Sequence, residues 1–315
     1  MGFNQIVMQS IGILITMILM GMFLRIFGVL KEEHAKIFAN VILNFTLPAL
    51  IFSSLSISHF EIKAFVLALV MMMTELLSAL TAWGVSIVLK LRRPQKGALI
   101  LASTFGSSGF LGYAIIKIIY PNNVKALSDA AIVSELGVAL TLFTFGVLTA
   151  MHFGDNDIGW KESKKEALKF FKSPLFISLI SGIFVSFLNI PHRNFLVISI
   201  YKMMHIIASA NTALVTLTIG VMLHFKDFRK VWKVVMLAIF IKLILQPIFS
   251  SIQGNVLNFP VLWKKIVVIE ASMPTATMTA IFAKQYGCDA ELTTILIFAT
   301  FISSFFTLIM MVLLV

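Results

Sequence analysis

Apolar stretches of about twenty residues, the length that crosses a bilayer as a helix, recur along almost the whole chain. Only short polar connections separate them. With 59% hydrophobic residues, 12% charged residues and a mean hydropathy of +0.99, the composition lies outside the range of soluble globular proteins. We therefore predict an all-α polytopic membrane protein with about ten transmembrane helices.

The ten predicted spans fall into two groups of five. The only substantial polar loop, residues 152–172, separates the groups. The predicted spans cover residues 6–27, 35–57, 64–89, 97–120, 126–151, 174–190, 195–223, 231–252, 261–286 and 292–315.

Polar, helix-breaking residues interrupt two of these spans. Span 4 contains Ser103–Gly112, with three glycines, and span 9 contains Glu270–Thr279, with Pro274 at its centre. Broken backbone at membrane depth is tolerated only where protein or a water-filled cavity satisfies its polar groups. Paired interruptions in the two halves of a chain are the best sequence indication of a transporter's substrate site.

A nearly constant spacing relates the two halves. Spans 1 and 6 begin 168 positions apart, Asn44 and Asn211 are 167 apart, and Gly109 and Pro274 are 165 apart. Because each half holds an odd number of spans, the second half must enter the membrane from the opposite side. The pattern predicts two inverted five-helix repeats, residues 1–151 and 173–315.

Basic residues indicate the orientation. The connections on the side of the loop between spans 1 and 2 hold 17 Lys and Arg, and the other side holds 7. By the positive-inside rule, both termini are extracellular and residues 152–172 are cytoplasmic, in a multi-pass protein of the cell membrane. The net charge of +11 then reflects contact with anionic lipid, and we expect no nucleic-acid partner.

The sequence shows no pattern that is typical of a metal site or of an ATP-binding loop. Cys288 is the single cysteine, and the six histidines show no ligand spacing, so we predict no metal site. No phosphate-binding Gly-x4-Gly-Lys-Ser/Thr loop is present in the sequence. We expect no cofactor beyond a coupling proton or sodium ion.

An ordered set of motifs resembles the auxin efflux carrier family, which contains plant PIN-type carriers and bacterial malate or malonate permeases. The resemblance, to a bacterial malate-permease-like member, covers the whole chain. The motifs are Asn44-Phe-Thr-Leu-Pro48, Gly106-Ser-Ser-Gly-Phe-Leu-Gly112, the stretch from Lys242 to Pro247, Ala271-Ser-Met-Pro274 and Ala283-Lys-Gln-Tyr286. Three positions depart from the family pattern, which usually has Asn at Ser107, Pro at Ala114 and often Pro near Ala213.

The resemblance implies a secondary active transporter, not an enzyme. Spans 1, 2, 6 and 7 would form a scaffold, and spans 3–5 and 8–10 would form a moving transport bundle. Spans 4 and 9 would cross at their breaks, as in bile-acid symporters and sodium/proton antiporters. The expected substrate is a small organic anion such as malate, with an auxin-like or other hydrophobic acid as the alternative. A homodimer through the scaffold helices is compatible with this arrangement.

Two half-helix N-termini at such a crossing would favour a carboxylate by about 1 kcal/mol each. Nearby hydroxyls either contact the substrate or bond to carbonyls that the breaks leave unpaired. The two asparagines either reach the substrate from the opposite wall or bond within kinked helices. The candidate substrate-binding residues are Asn44, Ser107, Ser108, Gly109, Asn211, Pro274, Thr275 and Thr277.

Ionisable residues inside spans are candidates for ion coupling, because a charge at that depth costs several kcal/mol unless it is paired or neutralised. Glu270, just before the second break, is either a coupling carboxylate or a structural one. Glu75 and Lys242 lie 167 apart, at equivalent places in the repeats, and form either a structural ion pair or a coupling relay. Glu135 has the same alternatives.

A remote alternative is an intramembrane serine protease. Gly106-Ser-Ser-Gly109 matches the short GxSG pattern of rhomboids, with His205 as a conceivable base. Proteolysis explains neither the ten spans nor the second break at Pro274.

Overall fold

The computed structural model describes residues 3–57, 62–155, 168, 171–188, 195–222 and 231–314. Within these ranges the chain forms helices and one isolated β-bridge. Most of the predicted loop, residues 152–172, lies outside the described residues.

Thirteen helices follow the apolar segments in the described part of the chain. The first half contains α1 (Phe3–Ile26), α2 (Glu33–Ile57), α3 (Ile62–Val88), α4 (Arg93–Thr104), α5 (Ser108–Ile119) and α6 (Val124–Phe153). The second half contains α7 (Pro174–Leu188), α8 (Phe195–Ser209), α9 (Asn211–Met222), α10 (Trp232–Val256), α11 (Val261–Ala271), α12 (Met278–Tyr286) and α13 (Ala290–Leu314).

Six helical stretches are long and apolar enough to cross a membrane in the described residues. They are α2, α3, α6, the stretch Ile198–Met222 across α8 and α9, α10, and Ala290–Met311 of α13. Large apolar side chains such as Phe23, Trp83 and Phe306 are exposed on the outer surface, as a surface covered by lipid requires. The predicted class, an all-helical polytopic membrane protein, is confirmed.

Two prolines lie inside helices directly after a widened turn. Pro48 in α2 follows the π-helical turn Ile42–Thr46, and Pro247 in α10 follows Ile241–Leu245. Proline has no N–H and its ring crowds the carbonyl four residues earlier. A π turn gives that carbonyl more room, so both helices continue through the proline.

The helices pack in two sets. In one, α1 packs on α9, and α2 packs on α7 and α8. In the other, α3 packs on α4, α6 and α10, and α13 packs on α4, α10 and α12. The interrupted segments α4–α5 and α11–α12 lie within the second set. The two sets meet where α5 packs on α1 and α9, α6 packs on α2, and α13 packs on α1.

Candidate functional site

The two interruptions predicted from sequence meet in space. Helix α4 ends at Thr104 and α5 begins at Ser108, and Gly106 between them forms an antiparallel bridge with Thr275. The Ser107 amide donates to the Pro274 carbonyl over 2.7 Å, and the Ala276 amide donates to the Phe105 carbonyl over 2.9 Å. Each break therefore satisfies backbone groups that the other leaves without a helical partner.

Thr275 stabilises this bridge through its side chain. Its hydroxyl donates to the Ala102 carbonyl over 2.5 Å and lies 3.0 Å from the Thr300 hydroxyl of α13. Its amide donates to that same Thr300 oxygen over 3.2 Å. Thr275 was predicted as a substrate ligand, but in this conformation its hydroxyl forms hydrogen bonds with Ala102 and Thr300.

Lys242 lies beside the bridge and is fully buried. Its Nζ donates to the Ala271 carbonyl over 3.1 Å and to the side-chain oxygen of Gln246, whose amide in turn donates to the Thr104 carbonyl over 2.8 Å. Thr104 and Ala271 end α4 and α11, and a cation at helix C-termini is favourable. A Cβ atom on Gly106 would lie only 3.1 Å from Nζ, so the glycine permits this close approach.

Glu75 and Lys242 do not form the direct ion pair that their equivalent positions suggested. In the described part of the chain no lysine nitrogen lies within 4.0 Å of the Glu75 carboxylate, although Lys242 interacts electrostatically with both Glu75 and Glu270. Glu75 is fully buried, and both its oxygens lack a hydrogen-bond partner. The neighbouring Thr141 hydroxyl donates to the Gly137 carbonyl instead.

Glu270 is also fully buried, and neither of its carboxylate oxygens has a hydrogen-bond partner. It packs against the backbone of α5, where a Cβ atom on Gly112 would lie 2.8 Å from its Oε1. Only glycine leaves room for the carboxylate at this position.

Glu135 of α6 lies beside the same segment of α5. Its Oε1 accepts hydrogen bonds from the Tyr113 hydroxyl over 3.1 Å and from the Ser134 hydroxyl over 3.3 Å, and its Oε2 has no partner. A Cβ atom on Gly109 would lie 3.5 Å from Oε1. Ser108 joins this group, because its hydroxyl lies 3.2 Å from that of Ser134.

Two of the predicted hydroxyl ligands lie directly before the half-helices α5 and α12. Ser107 precedes α5 and is half-buried, and Thr277 precedes α12 and is exposed. Neither side chain caps its own helix. Of the predicted hydroxyl ligands, these two are the best placed to contact a solute at the N-termini of α5 and α12.

The two predicted asparagines differ in environment. Asn44 is exposed and its amide donates to the Asn40 carbonyl over 2.9 Å. Asn211 is buried, accepts a hydrogen bond from the Thr46 hydroxyl over 2.9 Å, and has an unpartnered amide nitrogen. The Thr46–Asn211 bond joins α2 to α9.

Sequence reasoning did not single out Gln246, Thr300, Ser134 or Tyr113, which complete these contacts. One signal was present for Gln246, which is four residues after Lys242 and so on the same face of a helix. The partners of Thr300, Ser134 and Tyr113 lie on other helices, so no spacing along the chain indicates them.

Comparison with known proteins agrees with this geometry. The family model described as "Membrane transport protein" matches residues 6–311. The chain is 30% identical over 302 residues to an uncharacterised transporter of Methanocaldococcus jannaschii, covering 94% of each chain. It is 27% identical over 302 residues to an uncharacterised transporter of Methanothermobacter thermautotrophicus, covering 95% of each.

The family match favours transport over the rhomboid-like alternative. No hydrogen bond joins Ser108 to a histidine in the described residues, since its hydroxyl is paired with Ser134. The chain therefore belongs to the membrane transport protein family, the auxin efflux carrier family that its motifs resemble, which is a family of transporters and not of enzymes.

Proposed function

We propose that the protein is a secondary active transporter that moves a small organic anion, such as malate or a related carboxylate, across the cell membrane by alternating access. The observation that carries this proposal is the bridge between Gly106 and Thr275, with the Lys242 ammonium beside it. The starts of α5 and α12 lie next to this bridge. A cation and two helix N-termini near one point favour an anion.

The proposed architecture has ten spans in two inverted repeats, residues 1–151 and 173–315, with 152–172 as a cytoplasmic loop. Spans 1, 2, 6 and 7 would be the scaffold, and spans 3–5 and 8–10 the transport bundle with crossed helices 4 and 9. The packing of α1 on α9 and of α2 on α7, α8 and α9 supports this division. The same scaffold could pair two copies of the chain.

Coupling is proposed to use Glu270, Glu75 and Lys242, with a proton or a sodium ion as the driving ion and no other cofactor. All three are fully buried and interact electrostatically through Lys242. A change in the charge of one carboxylate would therefore be felt at Lys242, beside the proposed anion site.

An auxin-like or other hydrophobic acid is the second candidate, and one observation favours it. An apolar crevice reaches the second break at Pro274 from the side of α1. It is lined by Ile15, Ile18, Leu111, Ile115, Phe305 and Leu308, with Ser272 and Ser304 as polar groups. Such a lining is better matched to an apolar group than to a second carboxylate. The volume of the crevice in this conformation is about 20 Å³, so it would have to widen before it could hold the body of a monocarboxylate.

Flux into proteoliposomes tests the proposal. Labelled dicarboxylates and hydrophobic monocarboxylates should be offered separately, with a pH gradient and a sodium gradient imposed one at a time. We expect one class of carboxylate to accumulate under one gradient. No carboxylate flux under either gradient would contradict the proposed function.

A further inference from the structure

The buried charges near the bridge do not balance. Glu75, Glu135 and Glu270 are at most 1% exposed, and Lys242 is the buried cation that interacts with Glu75 and Glu270. No lysine or arginine nitrogen lies within 4.0 Å of any of the three carboxylates in the described residues. If Glu75 and Lys242 offset each other, Glu135 and Glu270 still carry two formal negative charges in a dry interior, which is unfavourable.

Both of these carboxylates lie against one short segment, Ser108–Gly112. Glu135 approaches Gly109 and Glu270 approaches Gly112, three residues further along. The two carboxylates are therefore within about one helical turn of each other, and they interact electrostatically. If both were ionised, like charges would repel at short range.

Hydrogen bonds stabilise only one negative charge. Glu135 receives the hydroxyls of Tyr113 and Ser134, whereas Glu270 receives no donor on either oxygen. The charged or titratable groups that face Glu270 are Glu135 from α6, Lys242 from α10 and Tyr113 from α5. None donates a hydrogen bond to it. Two oxygens of Glu270 and one of Glu135 are therefore buried acceptors without a donor, which a single cation could satisfy.

We propose that Glu135 and Glu270 together hold one exchangeable monovalent cation, a proton or a sodium ion, against Ser108–Gly112. This inference rests on the proposed function and adds Glu135 to its coupling residues. The hydroxyls of Ser108 and Ser134 supply further oxygen ligands beside the pair. Because the cation binds next to the first break, its release would leave two charges where α5 begins and favour a rearrangement of that break.

The test measures cation binding without any substrate. The melting temperature of the purified protein should be followed in carboxylate-free buffer from mildly acidic to mildly alkaline pH, with sodium or with choline as the salt. An unfolded chain exposes these carboxylates and releases the cation, so cation binding stabilises the folded protein. The wild type should lose about 5 °C or more on going to alkaline choline buffer.

The two sources of the cation give different results. If sodium restores the melting temperature at alkaline pH, the occupant is sodium. If sodium and choline buffers give the same fall, the occupant is a proton. Either result supports the site, provided that Glu135→Gln and Glu270→Gln each reduce the response by at least about half.

The matched control is Glu33→Gln, because the Glu33 side chain is 70% exposed and should contribute little. The proposal is overturned if the wild type shows no response to pH or sodium, or if either folded variant keeps more than about half of the wild-type response. If one variant fails to fold, the response of the other variant's melting temperature to pH and sodium decides whether the proposal stands. This result is independent of transport, since absent flux with an intact cation response would contradict only the proposed function.

Discussion

The Ser107 amide and the Pro274 carbonyl form a 2.7 Å hydrogen bond that joins the two interrupted segments of the chain. These residues are 167 positions apart, close to the spacing that relates the two halves. Because proline cannot donate a backbone hydrogen bond, the carbonyl is the group through which Pro274 joins the bridge. Substitutions that weaken the contacts around this bond should therefore destabilise the junction of the two segments.

Replacing Thr275 by valine should lower the free energy of unfolding by about 1–3 kcal/mol, because the Ala102 carbonyl and the Thr300 hydroxyl lose a buried partner. Thermal unfolding measures the effect. The control is Thr16→Val, in which the lost hydroxyl bonds only the Gly12 carbonyl at an exposed position. Equal stability of the two variants would mean that the Thr275 hydroxyl does not hold the bridge.

Lys242→Gln removes the ammonium beside the bridge. It should destabilise the protein by about 2 kcal/mol, since a buried hydrogen bond from a charged group is lost and Glu75 and Glu270 lose their cationic neighbour. Carboxylate flux should fall at least about tenfold, the loss of about 1.4 kcal/mol of anion stabilisation. Lys233→Gln, at an exposed position of α10, is the control. Wild-type flux in the Lys242 variant would remove Lys242 from the site.

Gly112→Ala should be poorly tolerated, because the new methyl group would lie 2.8 Å from Glu270 Oε1 and must displace that carboxylate. We expect a loss of about 1–3 kcal/mol of stability. Gly84→Ala in α3 is the control, since a Cβ atom there meets nothing within 4 Å and alanine favours the helix. If the two alanine variants unfold at the same temperature, Glu270 does not lie against Gly112.

Cys288, between α12 and α13, should resist alkylation in the folded protein. It is only 7% exposed, and burial, with smaller contributions from Asp155 and Asp289, raises the pKa of its thiol to about 12. Because the thiolate is the reactive form, a raised pKa leaves little of it at neutral pH. A maleimide mobility shift should be slow in native protein and complete after denaturation. Rapid labelling of native protein would contradict the burial of Cys288.

Much of this organisation can be predicted from the order of residues. Apolar segments long enough to span a bilayer predict the helical membrane class, and the paired breaks at Gly106 and Pro274 predict that these segments come together. Glu75 and Lys242, which the sequence places inside predicted spans at equivalent positions of the two halves, are both fully buried in the protein.

What the sequence could not predict depends on contacts between helices. Lys242 donates to the Ala271 carbonyl at the end of α11 and to Gln246, which donates to the Thr104 carbonyl at the end of α4, instead of pairing directly with Glu75. Both carbonyls lack a helical partner only because the two helices are interrupted there. Thr275 looked available to a substrate but bonds Ala102 and Thr300. The pairing of Glu135 with Glu270 across Gly109 and Gly112 likewise follows from how α6 and α11 pack on α5.

Solute counterflow tests the central claim most directly. Proteoliposomes loaded with an unlabelled carboxylate and diluted into the labelled compound should accumulate label transiently if one site alternates between the two sides. The outward gradient of unlabelled carboxylate drives this uptake, and no pH or sodium gradient is imposed. We predict this overshoot for at least one dicarboxylate or hydrophobic monocarboxylate with the wild type, and its loss with Lys242→Gln. No overshoot for any carboxylate, or an overshoot unchanged by Lys242→Gln, would contradict a carboxylate site at the bridge of Gly106 and Thr275.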